Sequence, residues 1–233
     1  MIIFILTERK YGKDNMKRFL KDELDKYLRG RANEAKKENT FINCNRPYQW
    51  YNKGSLVLYG LRDLIGDTAV NHALREFRDQ FALKPEPPFA GSHDLYAYLQ
   101  KHTPDSLKYY LKDTWEKITL YENKFEKATV KPAGKDSYTV TLSFSSKKVY
   151  ADSAGKETPA PMNDYIDIGI FAAESENKAG QKQTNPLYIK KHKLKPGAQT
   201  LTIRVKGKPV KAGIDPYNKL IDRIPDDNVG VVE

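Results

Sequence analysis

The sequence predicts a multidomain α+β protein, with a helical bundle over residues 1–116 and an antiparallel β-sandwich over residues 117–233. Two observations support this class. Up to about residue 117, apolar residues recur at spacings of three and four, which is typical of helices. Beyond it they alternate with polar residues, which is typical of strands. The chain has 233 residues, of which 39% are hydrophobic, so it is long enough for two modest domains with cores.

The first long predicted helix has a clear apolar face. Its apolar positions, which recur at helical spacing, are Met16, Phe19, Leu20, Leu24, Tyr27 and Leu28. Asp14 is placed to cap its start, and Gly30 is placed to end it. We expect residues 31–40 to form a polar loop. The short apolar run 2–6 is expected to be buried, as the tail of a helix whose beginning is missing.

Four more helices are predicted, each with a recognisable start or stop. They cover 51–65, ended by Gly66 and Asp67; 68–81, ended by the proline-rich stretch 84–92; a short helix capped by Ser92; and one with Thr103 as its N-cap and Pro104 in its first turn. Together they predict a bundle with short connections.

The second part contains four alternating stretches separated by turn-rich pieces. They are residues 137–150, 164–173, 186–194 and 199–207. Short strands at this spacing are typical of antiparallel sandwiches of the immunoglobulin or fibronectin type. The tail at 213–228 is rich in Asp, Pro and Gly, and we expect it to be ordered by packing on the sandwich.

The net charge and the single cysteine limit the partners and the cross-links that this chain can have. The formal net charge is +10, and residues 189–211 carry eight Lys or Arg and no acid. This run fits a patch for nucleic acid or anionic lipid, or a pair of strands whose lysines prevent edge aggregation. No aromatic residues alternate with the lysines to stack on bases, so we favour the strands and expect no nucleic-acid partner. The single cysteine, Cys44, excludes an internal disulfide and a zinc cluster of thiolates.

No complete catalytic set is visible. The zinc motif H-E-x-x-H, the nucleophile motif G-x-S-x-G, a P-loop and a dinucleotide fingerprint are all absent. The histidines, at 72, 93, 102 and 192, are not spaced to bind a metal from one helix face. Cys44 lies near Arg46 and could be a reactive thiol, although a lone loop cysteine is usually incidental. We therefore expect no metal bound to this chain.

One short stretch stands apart, "PYQWYNKGSLVLYGL" at 47–61, in which three aromatic residues precede a Lys-Gly pair and an apolar helix. Together with "YGKDNMKRFLKDELDKYLRGR" at 11–31 and "NHALREFRDQF" at 71–81, it resembles the region downstream of the zinc site in membrane alanyl aminopeptidases. These are gluzincin metallopeptidases related to leukotriene-A hydrolase. The family has a Y-x-K-G motif, and this chain has Tyr51, Asn52, Lys53 and Gly54 in that register.

The resemblance implies a catalytic role for one residue of this chain. In the family, the tyrosine hydroxyl of Y-x-K-G stabilises the oxyanion that forms on the zinc-bound carbonyl, which assigns that role to Tyr51. Lys53 and Gly54 would support the motif through helix packing. From spacing alone, Tyr51 is better interpreted as an aromatic residue at a helix start, packed on Pro47 and Leu58, and the flanking resemblance shifts the preference to the catalytic position.

The second part fits the same family. "KKVYADSAGKETPAPMNDYIDIGIF" at 147–171 and "AGIDPYNKLIDRIPDDN" at 212–228 resemble the C-terminal sandwich of bacterial members, some of which are fused to membrane segments of transporter permeases. The resemblance therefore covers nearly the whole chain. It does not indicate in which cellular compartment the protein lies.

The departure from the family lies in the metal site. The family's zinc ligands and general-base glutamate would all precede residue 1. We therefore expect the C-terminal part of a zinc aminopeptidase, inactive alone, with zinc belonging to the complete protein. Its partners would be a peptide substrate, the upstream catalytic region or a second copy of itself. The alternative is a non-enzymatic module of the same origin that binds a protein or peptide.

Overall fold

The computed structural model describes residues 2–33, 38–176 and 182–233. Within these ranges the chain combines six α-helices with two four-stranded antiparallel sheets, so it is a mixed α+β protein. Two compact units are present. Of the described residues, 2–4, 23–33, 38–119 and 150–157 build the first unit, and 5–22, 120–149, 158–176 and 182–233 build the second.

The helices occupy the first half of the chain. They are α1 Ile2–Tyr11, α2 Met16–Ala32, α3 Gly54–Ile65, α4 Asp67–Phe81, α5 Ser92–His102 and α6 Lys108–Leu111. The helix expected over the run 2–6 is present, but Leu6 is 58% exposed, so the expected burial is wrong for that residue. Of these described helices, none is long and apolar enough to cross a membrane.

Helix α2 continues through the glycine that was expected to end it. A Cβ atom at Gly30 would lie 2.6 Å from the Cβ atom of Tyr48, so only glycine allows this close approach. The prediction that Gly30 stops the helix is therefore wrong, and Arg31 belongs to α2 rather than to the predicted loop. Residues 34–37 of that loop lie outside the described residues.

Other helix boundaries show which capping predictions hold. Gly66, with φ 85°, ends α3 as expected. Thr103 does not cap a following helix, since its hydroxyl donates to the Leu99 carbonyl at 2.7 Å and closes α5 instead. At the start of α5, the Gly91 backbone N–H donates to the Asp94 carboxylate at 2.8 Å, so Gly91 rather than Ser92 is the capping position.

The first unit has an aromatic core. Its buried apolar residues are Phe41, Ile42, Val57, Leu61, Val70, Ala73, Tyr96, Leu99, Tyr110, Leu111 and Trp115. The rings of Phe41 and Trp115 lie 4.7 Å apart, edge to face. The Tyr110 hydroxyl donates to the Val57 carbonyl at 3.0 Å, which ties α6 to α3.

The strands follow a π-helical turn that ends at Glu116. They are β1 Ile118–Pro132, β2 Ser137–Ala151, β3 Glu157–Pro159, β4 Asp164–Glu176, β5 Lys182–Leu194, β6 Gly197–Lys206, β7 Lys211–Ile214 and β8 Val229–Val231. One sheet runs β1-β2-β3 with β6 also paired to β2, and the other runs β5-β4-β7-β8. The basic run 189–211 therefore contributes strands to two different sheets, with β5 beside β4 and β6 beside β2.

The core of the second unit contains side chains from both sheets. The fully buried members include Val140, Leu142 and Phe144 from β2, Ile168 and Ile170 from β4, and Ile214 from β7. Gly213 in β7 lies against the last strand, because a Cβ atom there would be 2.1 Å from the Asn228 carbonyl oxygen.

Residues 213–228, the acidic tail, are organised around two buried carboxylates, those of Asp215 and Asp222. Asp215 accepts backbone N–H groups of Lys219 and Leu220, each at 3.0 Å. Asp222 accepts the backbone N–H of Asn123 at 3.0 Å. Burial raises the pKa of Asp215 to about 7, although the two backbone donors oppose that shift. Burial also raises the pKa of Asp222.

Candidate functional site

The candidate site is the turn that leads into α3. Pro47 begins it, and residues Tyr48–Lys53 form a π-helical turn that runs without a break into Gly54. Wide turns of this kind are rare and are often found at functional sites. The turn has an inner face, which is buried, and an outer face, which is exposed.

Gln49 anchors the start of the inner face. Its side chain is fully buried, and its amide nitrogen donates to the Asn39 carbonyl at 2.7 Å. Its amide oxygen accepts the backbone N–H of Asn45 at 3.0 Å. The two bonds hold the turn against the segment that precedes it.

Lys53 lies one turn later on the same inner face. It is also fully buried, and its ammonium lies 5.4 Å from the centre of the Tyr27 ring, within the range of a cation–π contact. Its Nζ atom has no hydrogen-bond partner in the described part of the chain. Burial lowers the pKa of the Lys53 amine to about 8, and the Glu38 carboxylate opposes that shift.

Glu38 supplies the negative charge that faces the Lys53 ammonium on this side of the turn. Its two carboxylate oxygens accept the Tyr27 hydroxyl at 2.7 Å and the Arg31 guanidinium at 2.6 Å. Burial, and then the Glu38 charge, raise the pKa of Tyr27 well above its ordinary value, so Tyr27 stays a donor. The inner face therefore rests on a polar cluster that joins α2 to the segment before the turn.

Gly54 completes the inner face and is constrained by space. A Cβ atom there would lie 3.0 Å from Cζ of Phe41 and 3.7 Å from the Gln49 carbonyl oxygen. A larger residue would push α3 away from Phe41, which packs on Trp115 in the core. Glycine thus lets α3 begin close to the aromatic core.

Tyr51 lies on the outer face. Its side chain is 68% exposed, and its ring meets Trp50 edge to face at 6.3 Å. Next to it, the Asn52 side chain donates to Glu23 of α2. The turn therefore presents a phenol to solvent, whereas the neighbouring Asn52 side chain is bonded to α2.

Other candidate residues do not join this site as reactive groups. Burial raises the pKa of Cys44, so the suggestion of a low-pKa thiol beside Arg46 is wrong. In residues 2–33, 38–176 and 182–233, no group of three or more His, Cys, Asp or Glu could hold a metal ion. These residues do not fit a zinc ion, and the H-E-x-x-H motif does not occur in the sequence.

Sequence reasoning missed the polar cluster under the turn. Tyr27 looked like one more apolar position on the face of α2, and Glu38 fell in a predicted loop. A tyrosine in an otherwise aliphatic stripe was the available signal, because a buried phenol needs a hydrogen-bond partner. Its partner, 11 residues away, could be identified only from the structure.

Comparison of the chain with protein-family models and with curated proteins gives no match.

Proposed function

We propose that this chain is the C-terminal part of a zinc aminopeptidase of the membrane alanyl aminopeptidase family, with Tyr51 as its contribution to catalysis. The observation that carries the proposal is the division of the Y-x-K-G motif between two faces. Lys53 and Gly54 are buried and packed, whereas the Tyr51 phenol is 68% exposed. An aromatic residue that served only packing would be expected on the inner face.

The chemistry suits a phenol in this position. Peptide hydrolysis places negative charge on the carbonyl oxygen, and a fixed hydrogen-bond donor aimed at that oxygen lowers the barrier. In the complete enzyme, a zinc ion would polarise the same carbonyl and activate water. Tyr51 carries a phenol O–H donor on a turn whose inner face is held by the Gln49 hydrogen bonds and the buried Lys53.

The proposal extends to the type of sandwich and to the domain boundaries. We propose that the two sheets of the second unit form a sandwich of the immunoglobulin or fibronectin type, because their apolar faces share one buried core. We further propose that residues 1–116 are the end of the peptidase catalytic domain and that residues 117–233 are the sandwich domain. In this proposal, residues outside the chain hold the zinc.

A complementation experiment tests the proposal. The chain is mixed with a segment of a family member that carries H-E-x-x-H and the third zinc ligand, and cleavage of aminoacyl anilides is followed. We expect no cleavage by either piece alone and chelator-sensitive cleavage by the mixture. Cleavage by the isolated chain, or saturating complex formation without cleavage, would contradict it.

The exposed Trp50 and Tyr51 rings favour one alternative, a module that binds peptides without cutting them. Aromatic side chains are enriched in binding surfaces because they bury a large area at low entropic cost. Under this alternative, the isolated chain would bind peptides saturably, and substitution of Trp50 would weaken binding as much as substitution of Tyr51.

A further inference from the structure

Lys53 and Tyr51 belong to the same π-helical turn but point in different directions. Residues two apart on a helical turn lie on nearly opposite sides, which explains why one side chain is fully buried while the other is 68% exposed. A rotation of the turn that moved the Lys53 ammonium would therefore also move the Tyr51 phenol.

Besides the Asn52–Glu23 hydrogen bond, the inner face of the turn is held at two points one helical turn apart. Gln49 is fixed by two hydrogen bonds, to the Asn39 carbonyl at 2.7 Å and from the Asn45 N–H at 3.0 Å. Lys53 is held differently, by its charge over the Tyr27 ring and by the attraction of Glu38. The second point therefore depends on whether the amine is protonated.

The titratable groups around Lys53 come from α2 and from the segment before the turn. They are Arg31 and the Tyr27 phenol on α2, Glu38, and the Cys44 thiol. Glu38 is shared with Arg31 and Tyr27, which occupy its oxygens at 2.6 and 2.7 Å. Lys53 is thus attracted to Glu38 without displacing those donors, and loss of its charge removes this attraction while the other bonds persist.

We propose that Lys53 is a positioning residue for Tyr51. The buried charge of Lys53 is attracted to the Glu38 carboxylate, and this attraction fixes the rotation of the Tyr48–Lys53 turn. The rotation of the turn then sets the direction of the Tyr51 phenol. This inference rests on the proposed function, since it assigns Lys53 a part in presenting the oxyanion donor. It adds a regulatory consequence. Deprotonation of Lys53 loosens the outer face at around pH 8.

Trp50 provides a local probe for this movement. It is 44% exposed and touches the Tyr51 ring edge to face, whereas Trp115 is buried in the core of the same unit. The chain contains two tryptophans, so labelling with 5-fluorotryptophan gives two ¹⁹F signals. Trp50→Phe assigns them, and the Trp115 signal serves as the internal reference for the fold.

The experiment is a ¹⁹F titration of the isolated full chain from pH 6.5 to 9. We expect the Trp50 signal to shift with a midpoint near 8 while Trp115 stays in place. Lys53→Met should abolish the transition, and Lys53→Arg should hold the low-pH position throughout. Glu38→Gln should move the midpoint to lower pH by at least half a unit, because the carboxylate favours the ammonium.

Three results would overturn the inference: an unchanged Trp50 transition in Lys53→Met, no transition in the wild type, or equal movement of both tryptophans. If Lys53→Met does not fold, as judged from Trp115, the shift of the midpoint in Glu38→Gln decides. The titration needs no zinc-binding segment, so its failure is separable from failure of the complementation experiment.

Discussion

The Lys53 ammonium lies 5.4 Å from the centre of the Tyr27 ring, fully buried and without a hydrogen-bond partner in the described structure. A buried charge that lacks a hydrogen bond is costly, so its persistence in the fold needs a reason. The same turn carries the exposed phenol of Tyr51, and we propose that the Lys53 charge fixes the direction of that phenol.

The first prediction concerns alkaline stability. Because the folded pKa of Lys53 is lowered to about 8, the unfolded chain binds more protons between pH 8 and 10.5. The free energy of unfolding should therefore rise with pH from 8 to 9.5, by up to about 1.4 kcal/mol per pH unit from this residue. Urea unfolding of the first unit, followed by tryptophan fluorescence in a Trp50→Phe background in which only Trp115 emits, measures it.

Lys53→Met should remove this rise, whereas Lys84→Met, at an exposed lysine, should keep it. The predicted rise in the free energy of unfolding is limited to pH 9.5. Above about pH 10 the raised pKa of Tyr27 lowers the free energy of unfolding as pH increases. An identical slope in wild type and Lys53→Met would show that Lys53 does not titrate as the structure indicates.

The second prediction concerns Asp215 in the acidic tail. Its folded pKa is raised to about 7, so the folded state binds more protons than the unfolded state between pH 4 and 7. Its stabilising contribution is complete below pH 4 and is lost as pH rises through 7. Asp222, whose pKa is also raised by burial, acts in the same direction.

We expect Asp215→Asn to flatten the dependence of unfolding free energy on pH between 4 and 7, by up to about 1.4 kcal/mol per unit. Asp226→Asn, at a carboxylate with 73% of its side chain exposed, should leave the slope unchanged. Hydrogen exchange of the β7 amides reports on this unit. Equal slopes for the two variants would refute the assignment to Asp215.

The third prediction concerns Gly30. In an exposed helix interior, Gly→Ala normally stabilises by about 1 kcal/mol. At Gly30 a Cβ atom would meet Tyr48 at 2.6 Å, so Gly30→Ala should instead destabilise by roughly 1–3 kcal/mol. Lys26→Ala, at an exposed position of the same helix, should change stability by less than about 0.5 kcal/mol. A stabilised Gly30→Ala variant would contradict the packing described.

Much of the fold was predictable because its signals are local. The apolar period of Met16, Leu20 and Leu24 predicted α2, and the positive φ of Gly66 explains a correctly predicted helix end. The strands β2, β4, β5 and β6 followed from alternation. Strand β1 was missed because its first four residues are all buried and its later residues interrupt the alternation.

The rest depended on contacts between distant residues. Gly30 looked like a stop because glycine commonly ends helices, but the position is decided by Tyr48, 18 positions along the chain. Thr103 resembles an N-cap and in fact closes the preceding helix. In the candidate site, the motif alone pointed to Tyr51, whereas the support from Glu38 and Tyr27 appears only when α2 and the turn are brought together.

The central claim is that the Tyr51 hydroxyl stabilises an oxyanion, and its most direct test compares two tyrosines that are three residues apart in the complemented enzyme. Loss of one such donor typically lowers the rate by about 10²–10³-fold. We predict that Tyr51→Phe lowers kcat by this factor with little change in KM, and that Tyr48→Phe stays within about threefold of the wild type. Equal rates for Tyr51→Phe and wild type would contradict the claim.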